Sequence, residues 1–327
     1  MKKYNYKRRN NYKKFYRRKK KKSDLKSKKW FIILLYIFKI LKIIFFIFLI
    51  KFHSYCDNYK QSIINYYYKL RIGNRRSNFN KNNLITFGDK ISWLLIYDTT
   101  KLKGKCADKI LLHQISKRIL KKDICNKILK IYDNPDQINI DELPEKFVLK
   151  TNHGSGYNII VGNRTEFDIE KAKETLSKWL KIDYGYKNRE FQYSFIKRKV
   201  FAEEYIGENL INYKFFCYHG VPKYVYIRLY VDHHRYWTFF DMNWNKLDII
   251  CNYPLIPFDV PKPKKFELMK KYARKLSHPF IFVRVDLYEV YDEVRLGELT
   301  FSPMNGGMNC RKISNARFDL GDDIKIV

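Results

Sequence analysis

No two of the six cysteines, Cys56, Cys106, Cys125, Cys217, Cys251 and Cys310, form a C-x-x-C pair. That argues against a zinc site or a disulfide framework and suits a reducing compartment. No G-x-x-x-x-G-K-[ST] loop occurs, so a Walker A phosphate cradle is excluded, and the full dinucleotide-binding glycine pattern is missing too. Asp-x-Asp, the metal-holding motif of the common metal-dependent nucleotide-sugar enzymes, is also lacking. There is no internal repeat. The adjacent His233 and His234 read as the tip of a hairpin rather than as metal ligands. Acids are scarce: 33 Asp and Glu stand against 66 Lys and Arg, for a formal charge of +33. Such a chain suits nucleic acid, anionic lipid or an acidic substrate. Without a zinc finger or an aromatic–glycine RNA-binding motif, no nucleic acid is expected.

The charge is concentrated at one end. Residues 1–29 hold sixteen Lys or Arg and a single acid, Asp24, and read as a basic, disordered arm. Trp30 to Ile50 follows, with seventeen Ile, Leu or Phe interrupted by Lys39 and Lys42. On an insertion scale the apolar residues contribute roughly −8 kcal/mol and the two lysines cost about +6. Insertion is therefore marginal, and the segment reads as a transmembrane or interfacial apolar helix. The basic arm beside it is suited to anionic membrane lipid. Residues 51–83 read as a polar linker.

From residue 84 the pattern becomes ordered. A short helix is expected around Ile91–Tyr97, and apolar spacing predicts a second over 108–122. Strands are expected at 146–151 and 157–161, then a helix over 169–181. Further strands are expected near 199–205, 213–218, 223–231 and 236–241. A helix at 265–277 precedes two strands at 280–289 and 295–301. Mixed helices and hairpins indicate an α+β fold with antiparallel sheet.

Three stretches carry chemistry. Lys150 ends one strand and leads into Asn152, His153, Gly154, Ser155 and Gly156. Two glycines let the backbone turn tightly and present amides to phosphate oxygens. Read alone, this is equally an ordinary hairpin loop. Arg284-Val-Asp286 lies on an apolar strand, with Glu298 twelve residues on. On neighbouring antiparallel strands the two carboxylates could meet, which demands a cation between them, and Mg²⁺ prefers such oxygens. The competing reading is an Arg284–Glu298 ion pair on a solvated face. Glu203, Glu204, Tyr205 and Ile206 end a strand and can offer backbone donors and acceptors to an adenine edge, although read alone the stretch is more simply an exposed strand end.

In this order the stretches resemble the ATP-grasp superfamily. The segments TFGDKISWL (86–94), CADK (106–109), LPEKFVLKTNHGSGYNII (143–160), EEYI (203–206), NYKFFCYHG (212–220) and FVRVDLYEV…GELTFSPMNGG resemble, more closely, the TupA-like ATP-grasp family linked to teichuronopeptide and surface-polysaccharide synthesis. The resemblance implies an ATP-grasp fold over 84–327, two α+β subdomains holding ATP between antiparallel sheets. Lys109 and Lys150 would bind ATP phosphates under the Asn152–Gly156 loop, and Glu203 to Ile206 would hold adenine. Arg284 would stabilise the acyl-phosphate oxygens, Asp286 and Glu298 would ligate Mg²⁺, and Lys214 would touch phosphate or substrate. Thr300 stands where many relatives have a metal-binding Asn, and Asn212 where an acid often precedes the Tyr-Lys pair. The second metal and the ribose contact are thereby left open. The implied activity is ATP- and Mg²⁺-dependent joining of a carboxylate, such as a glycan-linked uronic acid, to an amine, such as an amino acid. An ATP-consuming domain belongs on the cytoplasmic side, so the N-terminal segment is read as a monotopic or peripheral anchor. The rival readings are a surface-polysaccharide glycosyltransferase and a basic membrane-surface adaptor.

Overall fold

The computed structural model describes residue 82 and residues 84–326, apart from 209 and 315. The basic arm, the apolar helix and nearly all of the linker expected from the sequence lie outside the described residues. Among the described residues no helix is long and apolar enough to cross a membrane.

The ordered chain opens with helix α1 (Phe87–Tyr97), which begins earlier than its apolar spacing suggests because Thr86 and Asp89 close a capping box. The helix expected over 108–122 is α3 (Leu111–Leu120), and α2 (Lys101–Ala107), which the apolar spacing did not announce, precedes it. The break is at Asp108. Its backbone is extended, and its Oδ1 accepts the amides of Ile110 at 2.9 Å and Leu111 at 3.3 Å. A carboxylate that satisfies the first free amides of the next helix stops one helix and starts another.

Four strands, β1 (Ile128–Tyr132), β2 (Phe147–Thr151), β3 (Asn158–Val161) and β4 (Val200–Glu204), form an antiparallel sheet in the order β1-β4-β2-β3. Alternation sends Phe147, Leu149, Val200 and Ala202 to one side, where Ala172 and Leu176 of helix α4 (Ile169–Lys181) pack on them. α5 (Tyr184–Asn188) follows.

The second sheet has five strands in the order β10-β9-β5-β6-β7: β5 (Asn212–Tyr218), β6 (Val221–Val231), β7 (His234–Phe240), β9 (Phe282–Val290) and β10 (Glu293–Thr300). All its neighbours are antiparallel. Its apolar side, with Phe215, Val225, Val283, Val285 and Leu287, is covered by Phe266, Met269, Ala273 and Leu276 of α6 (Phe266–Ser277). Each buried Leu, Val or Phe of this kind contributes roughly 1.5–3 kcal/mol. The β6–β7 turn carries Asp232 and His233 at φ 48 and 62, so the two histidines do sit at a hairpin tip.

One reading is corrected. β8 (Ile249–Cys251) and β11 (Cys310–Lys312) pair in register, and Cys251 and Cys310 are joined by a disulfide. The partners are 59 residues apart in sequence, so no local spacing announces them. Cys106, Cys125 and Cys217 remain free and buried.

Candidate active site

Each sheet turns its apolar side to a helix and its polar side to a shared cleft. On β9 the alternation that buries Val283, Val285 and Leu287 in the core leaves Asp286 and Tyr288 lining that cleft. Lys214 of β5 stands opposite Asp286. Glu298 of β10 stands opposite it on the other side, and Thr300 opposite Arg284.

A bulge makes the last pairing possible. From the hairpin turn to Leu296, β10 runs in a register that would place Gly297 across from Asp286 and Glu298 across from Val285, inside the core. The ladder shifts between Leu296 and Glu298. Gly297 becomes the extra residue, and Glu298 returns to the polar face. A side chain at Gly297 would come within 2.7 Å of the Tyr288 ring.

The Arg284 side chain bridges the two acids. Arg284 donates from Nε to Asp286 Oδ1 at 2.6 Å and from Nη2 to Asp286 Oδ2 at 2.7 Å and to Glu298 Oε1 at 2.9 Å. Lys214 also donates to Asp286 Oδ2. Thr300 donates its hydroxyl to Glu298 Oε1 at 2.7 Å and accepts from Arg284 Nη2 at 3.0 Å. Thr300 therefore orients Glu298 through its hydroxyl. The Arg284–Glu298 ion pair exists, but not on a solvated face: Arg284 is 8% exposed and Asp286 0%.

Burial penalises the charge of Glu298, yet Arg284, Lys214 and Lys109 outweigh it and hold the carboxyl at about 2. Burial and the neighbouring Arg284 pull the Lys214 ammonium below its ordinary range, against the attraction of Asp286 and Glu298. Lys109 is likewise pulled down by burial. These are cations crowded into a partly dehydrated space, where an added anion is stabilised.

The opposite wall comes from the four-stranded sheet. Lys150 Nζ donates to both carboxylate oxygens of Glu203, at 2.9 and 3.0 Å, and Asn126 donates to Glu203 Oε1 at 2.7 Å. Lys109, at the α2–α3 break, donates to the Gly154 carbonyl at 2.5 Å. Ser155, Gly156, Tyr205 and Ile206 complete this side of a cleft of ≈ 510 Å³ that also contains Lys214, Asp286 and Glu298.

Two loop residues do not serve the cleft. Asn152 is 1% exposed and faces the base of the loop. It accepts the Lys199 amide at 2.7 Å and donates to Asp108 Oδ2 at 3.1 Å, tying the loop to the helix break. His153 is equally buried, its Nε2 3.3 Å from the Trp179 carbonyl oxygen. Burial, with Arg198 nearby, brings its pKa down to about 4, so it is neutral at pH 7. The Glu204 carboxylate is occupied by the Lys127 amide at 2.8 Å.

Gly154 and Gly156 both have positive φ, 85 and 77, but only one is crowded. A Cβ on Gly154 would lie 2.5 Å from the Tyr184 ring, whereas one on Gly156 would meet nothing within 4 Å. Gly156→Ala is expected to cost about 1 kcal/mol of left-handed strain alone. Gly154→Ala should cost clearly more, because it adds a ring clash. Urea unfolding of the two variants compares them, and equal losses would mean that Tyr184 moves aside freely.

Sequence patterning passed over Glu190. It is 8% exposed, lies between α5 and the turn at Phe191–Phe195, and accepts the Ser302 hydroxyl at 2.5 Å. Burial, reinforced by the charge of Glu298, raises its pKa to about 7. With Arg235, Trp237 and Arg284 it lines a second chamber of ≈ 360 Å³, which shares Ser155, Lys214, Arg228 and Glu298 with the cleft. No periodicity surrounds Glu190 in the sequence, and only its neighbours in space mark it out.

Residues 89–325 match the sequence profile described as TupA-like ATPgrasp. No curated protein matches the chain. Among solved structures, a D-alanine–D-alanine ligase from Bacillus anthracis is 19% identical, with a TM-score of 0.36 over 61% of this chain and 58% of its own. An N5-carboxyaminoimidazole synthase from Aspergillus clavatus, in complex with ADP and 5-aminoimidazole ribonucleotide, is 14% identical, with a TM-score of 0.34 over 64% and 46%. D-alanyl-alanine synthetase A from Vibrio cholerae is 11% identical, with a TM-score of 0.40 over 62% and 57%. The chain thus spans about half the length of these proteins. The profile match runs from within α1 nearly to the end of the described chain, through every segment that builds the cleft, and by it the chain belongs to the TupA-like ATP-grasp family.

Proposed function

We propose that the protein is an ATP- and Mg²⁺-dependent carboxylate–amine ligase. The observation that carries this reading is the pairing of Asp286 with Glu298 across one register position, on a sheet face that shares its cleft with Lys109 and Lys150. The cleft suits a nucleotide in size. Val148, Ile160, Leu210 and Leu296 offer apolar surface for a base, and the lysines offer charge for phosphates. Two carboxylates are a hard-oxygen donor set that fits Mg²⁺. Bound there by Asp286 and Glu298, the metal would neutralise charge on the triphosphate.

Lys109, Lys150 and Lys214 would hold phosphate oxygens, and Arg284 would face the oxygens of the reacting carboxylate. A carboxylate oxygen attacks the γ-phosphorus, the bond to the bridging oxygen breaks, and ADP leaves. The amine nitrogen then attacks the acyl carbon, and phosphate leaves with the former carboxylate oxygen. Glu190, bordering the chamber where the amine would enter, would take the proton that the nitrogen loses. The finer reading is assembly of a cell-surface polysaccharide or teichuronopeptide, from a glycan-linked uronic acid and an amino acid, and it rests on the family alone.

The test is ADP release by the full chain with Mg²⁺, ATP, uronic acids and amino acids, with hydroxylamine as a trap. ADP should appear only with a carboxylic acid present, and hydroxylamine should convert that acid to its hydroxamate. ADP release indifferent to the acid, or UDP release from a sugar nucleotide without ADP, would sink the ligase reading.

A further inference from the structure

The chamber beside the cleft holds more positive charge than joining one carboxylate to an amine requires. Arg284 and Lys214, which line it, already pair with Asp286 and Glu298. Arg228 and Arg235 also line it, and neither pairs with a carboxylate among the described residues. Cross-strand register explains how they gather. Arg228 stands opposite Trp237 and Tyr230 opposite Arg235, so all four share the polar face of the β6–β7 hairpin.

Arg235 is held in place. Its guanidinium carbon lies 5.1 Å from the Tyr230 ring centre and 4.8 Å from that of Tyr253, and its Nη1 donates to the Tyr253 hydroxyl at 2.7 Å. Two rings and one hydrogen bond fix the plane of the fork and leave its other donors open. The Arg228 guanidinium carbon lies 5.8 Å from the same Tyr230 ring. Between them in the lining is Trp237, 3% exposed, whose buried indole Nε1 has no hydrogen-bond partner. A buried donor without an acceptor costs about 1–3 kcal/mol, which a ligand oxygen would recover. Glu190, the other acid of the chamber besides Glu298, is engaged by Ser302.

We infer that this chamber takes an acceptor bearing two anionic groups. One is the carboxylate that reacts beside Arg284. The other, a carboxylate or a phosphate, is gripped by Arg235 and Arg228, with the Trp237 N–H donating alongside. The inference rests on the ligase reading for which group reacts, but not for what binds. It makes Arg235, which lines the chamber but not the cleft, a specificity residue for the acceptor.

Three acids on one six-carbon skeleton test it: D-gluconate with one anionic group, D-glucarate with two carboxylates, and 6-phospho-D-gluconate with a carboxylate and a phosphate. Their binding to the full chain is measured by calorimetry with Mg²⁺ and a non-hydrolysable ATP analogue. At least one of the two dianions should bind about tenfold or more tightly than gluconate, the range expected of a charge-assisted contact. The tighter of the two identifies the second group as carboxylate or phosphate. Arg235→Gln should erase the advantage while affinity for the ATP analogue stays unchanged, which also reports an intact fold. Arg235→Lys should restore part of it. Equal affinity for all three acids, no binding of any, or an advantage that survives Arg235→Gln would overturn the inference. Dianion binding without ADP release would leave this inference standing and count against the ligase reading instead.

Discussion

Asp286→Asn is expected to reduce ADP release at least about a hundredfold and to lower the free energy of unfolding by about 3–5 kcal/mol. The substitution keeps size and removes charge. Asp286 is wholly buried and accepts from both Arg284 and Lys214. Without its carboxylate, two buried cations face each other, with Glu298 alone opposing them. Breaking a buried ion pair from one side costs far more than the pair contributes, because the remaining charge cannot return to water. Glu298→Gln should separate the two effects. The Glu298 side chain is 30% exposed, so its stability loss should be smaller while the loss of turnover is comparable. Urea unfolding beside steady-state kinetics reads both. An Asp286→Asn protein as stable as wild type would show that the Arg284–Lys214–Asp286 cluster does not exist in solution.

Glu190→Gln should flatten the acid limb of the rate profile. In the wild type, turnover is expected to fall about tenfold per pH unit below about 7, as Glu190 gains the proton that burial and Glu298 favour. Glu298 cannot produce that limb, since Arg284, Lys214 and Lys109 keep it ionised down to about 2. The stability arm has the opposite sign from that of a paired acid. A carboxyl whose folded pKa is raised supports the fold below its unfolded value, near 4.5, and loses that support as pH rises through about 7. Measured without Mg²⁺, Glu190→Gln should therefore match the wild type near pH 4.5 and exceed it by about 3 kcal/mol above pH 8. A limb near pH 7 that persists in the variant, or no gain in stability at high pH, would remove Glu190 from the proton path.

How much of the site could be read in advance depends on the range of the interactions that build it. A strand alternates with period two, so FVRVDLYEV already divides into Arg284 and Asp286 on one face and Val283, Val285 and Leu287 on the other. The same reasoning covers the β2–β3 strands around the glycine loop and the amphipathic helices α4 and α6. Glycine conformation is local too, and Gly154 and Gly156 adopt the left-handed turn that their type allows.

Local patterning could not reach features set by distant partners. Counting from the hairpin turn puts Glu298 opposite Val285, and only the bulge at Gly297 brings it to Asp286. Asn152 and His153 belong to a loop of the right kind, but packing against Asp108, Lys199 and Trp179 turned them from the cleft. Cys251 and Cys310 meet because two short strands pair across the fold, and Glu190 gains its high pKa from a buried position and the charge of Glu298, against the Ser302 hydrogen bond.

Period and residue type, carried by covalent neighbours, thus decided most of the longer strands and helices and which of their faces are apolar. Register across strands, the partner of each buried charge and the shape of the acceptor chamber were left to tertiary packing. The reason is that a one-residue shift in a ladder exchanges the two faces without changing the local pattern, so only contacts between distant segments can choose.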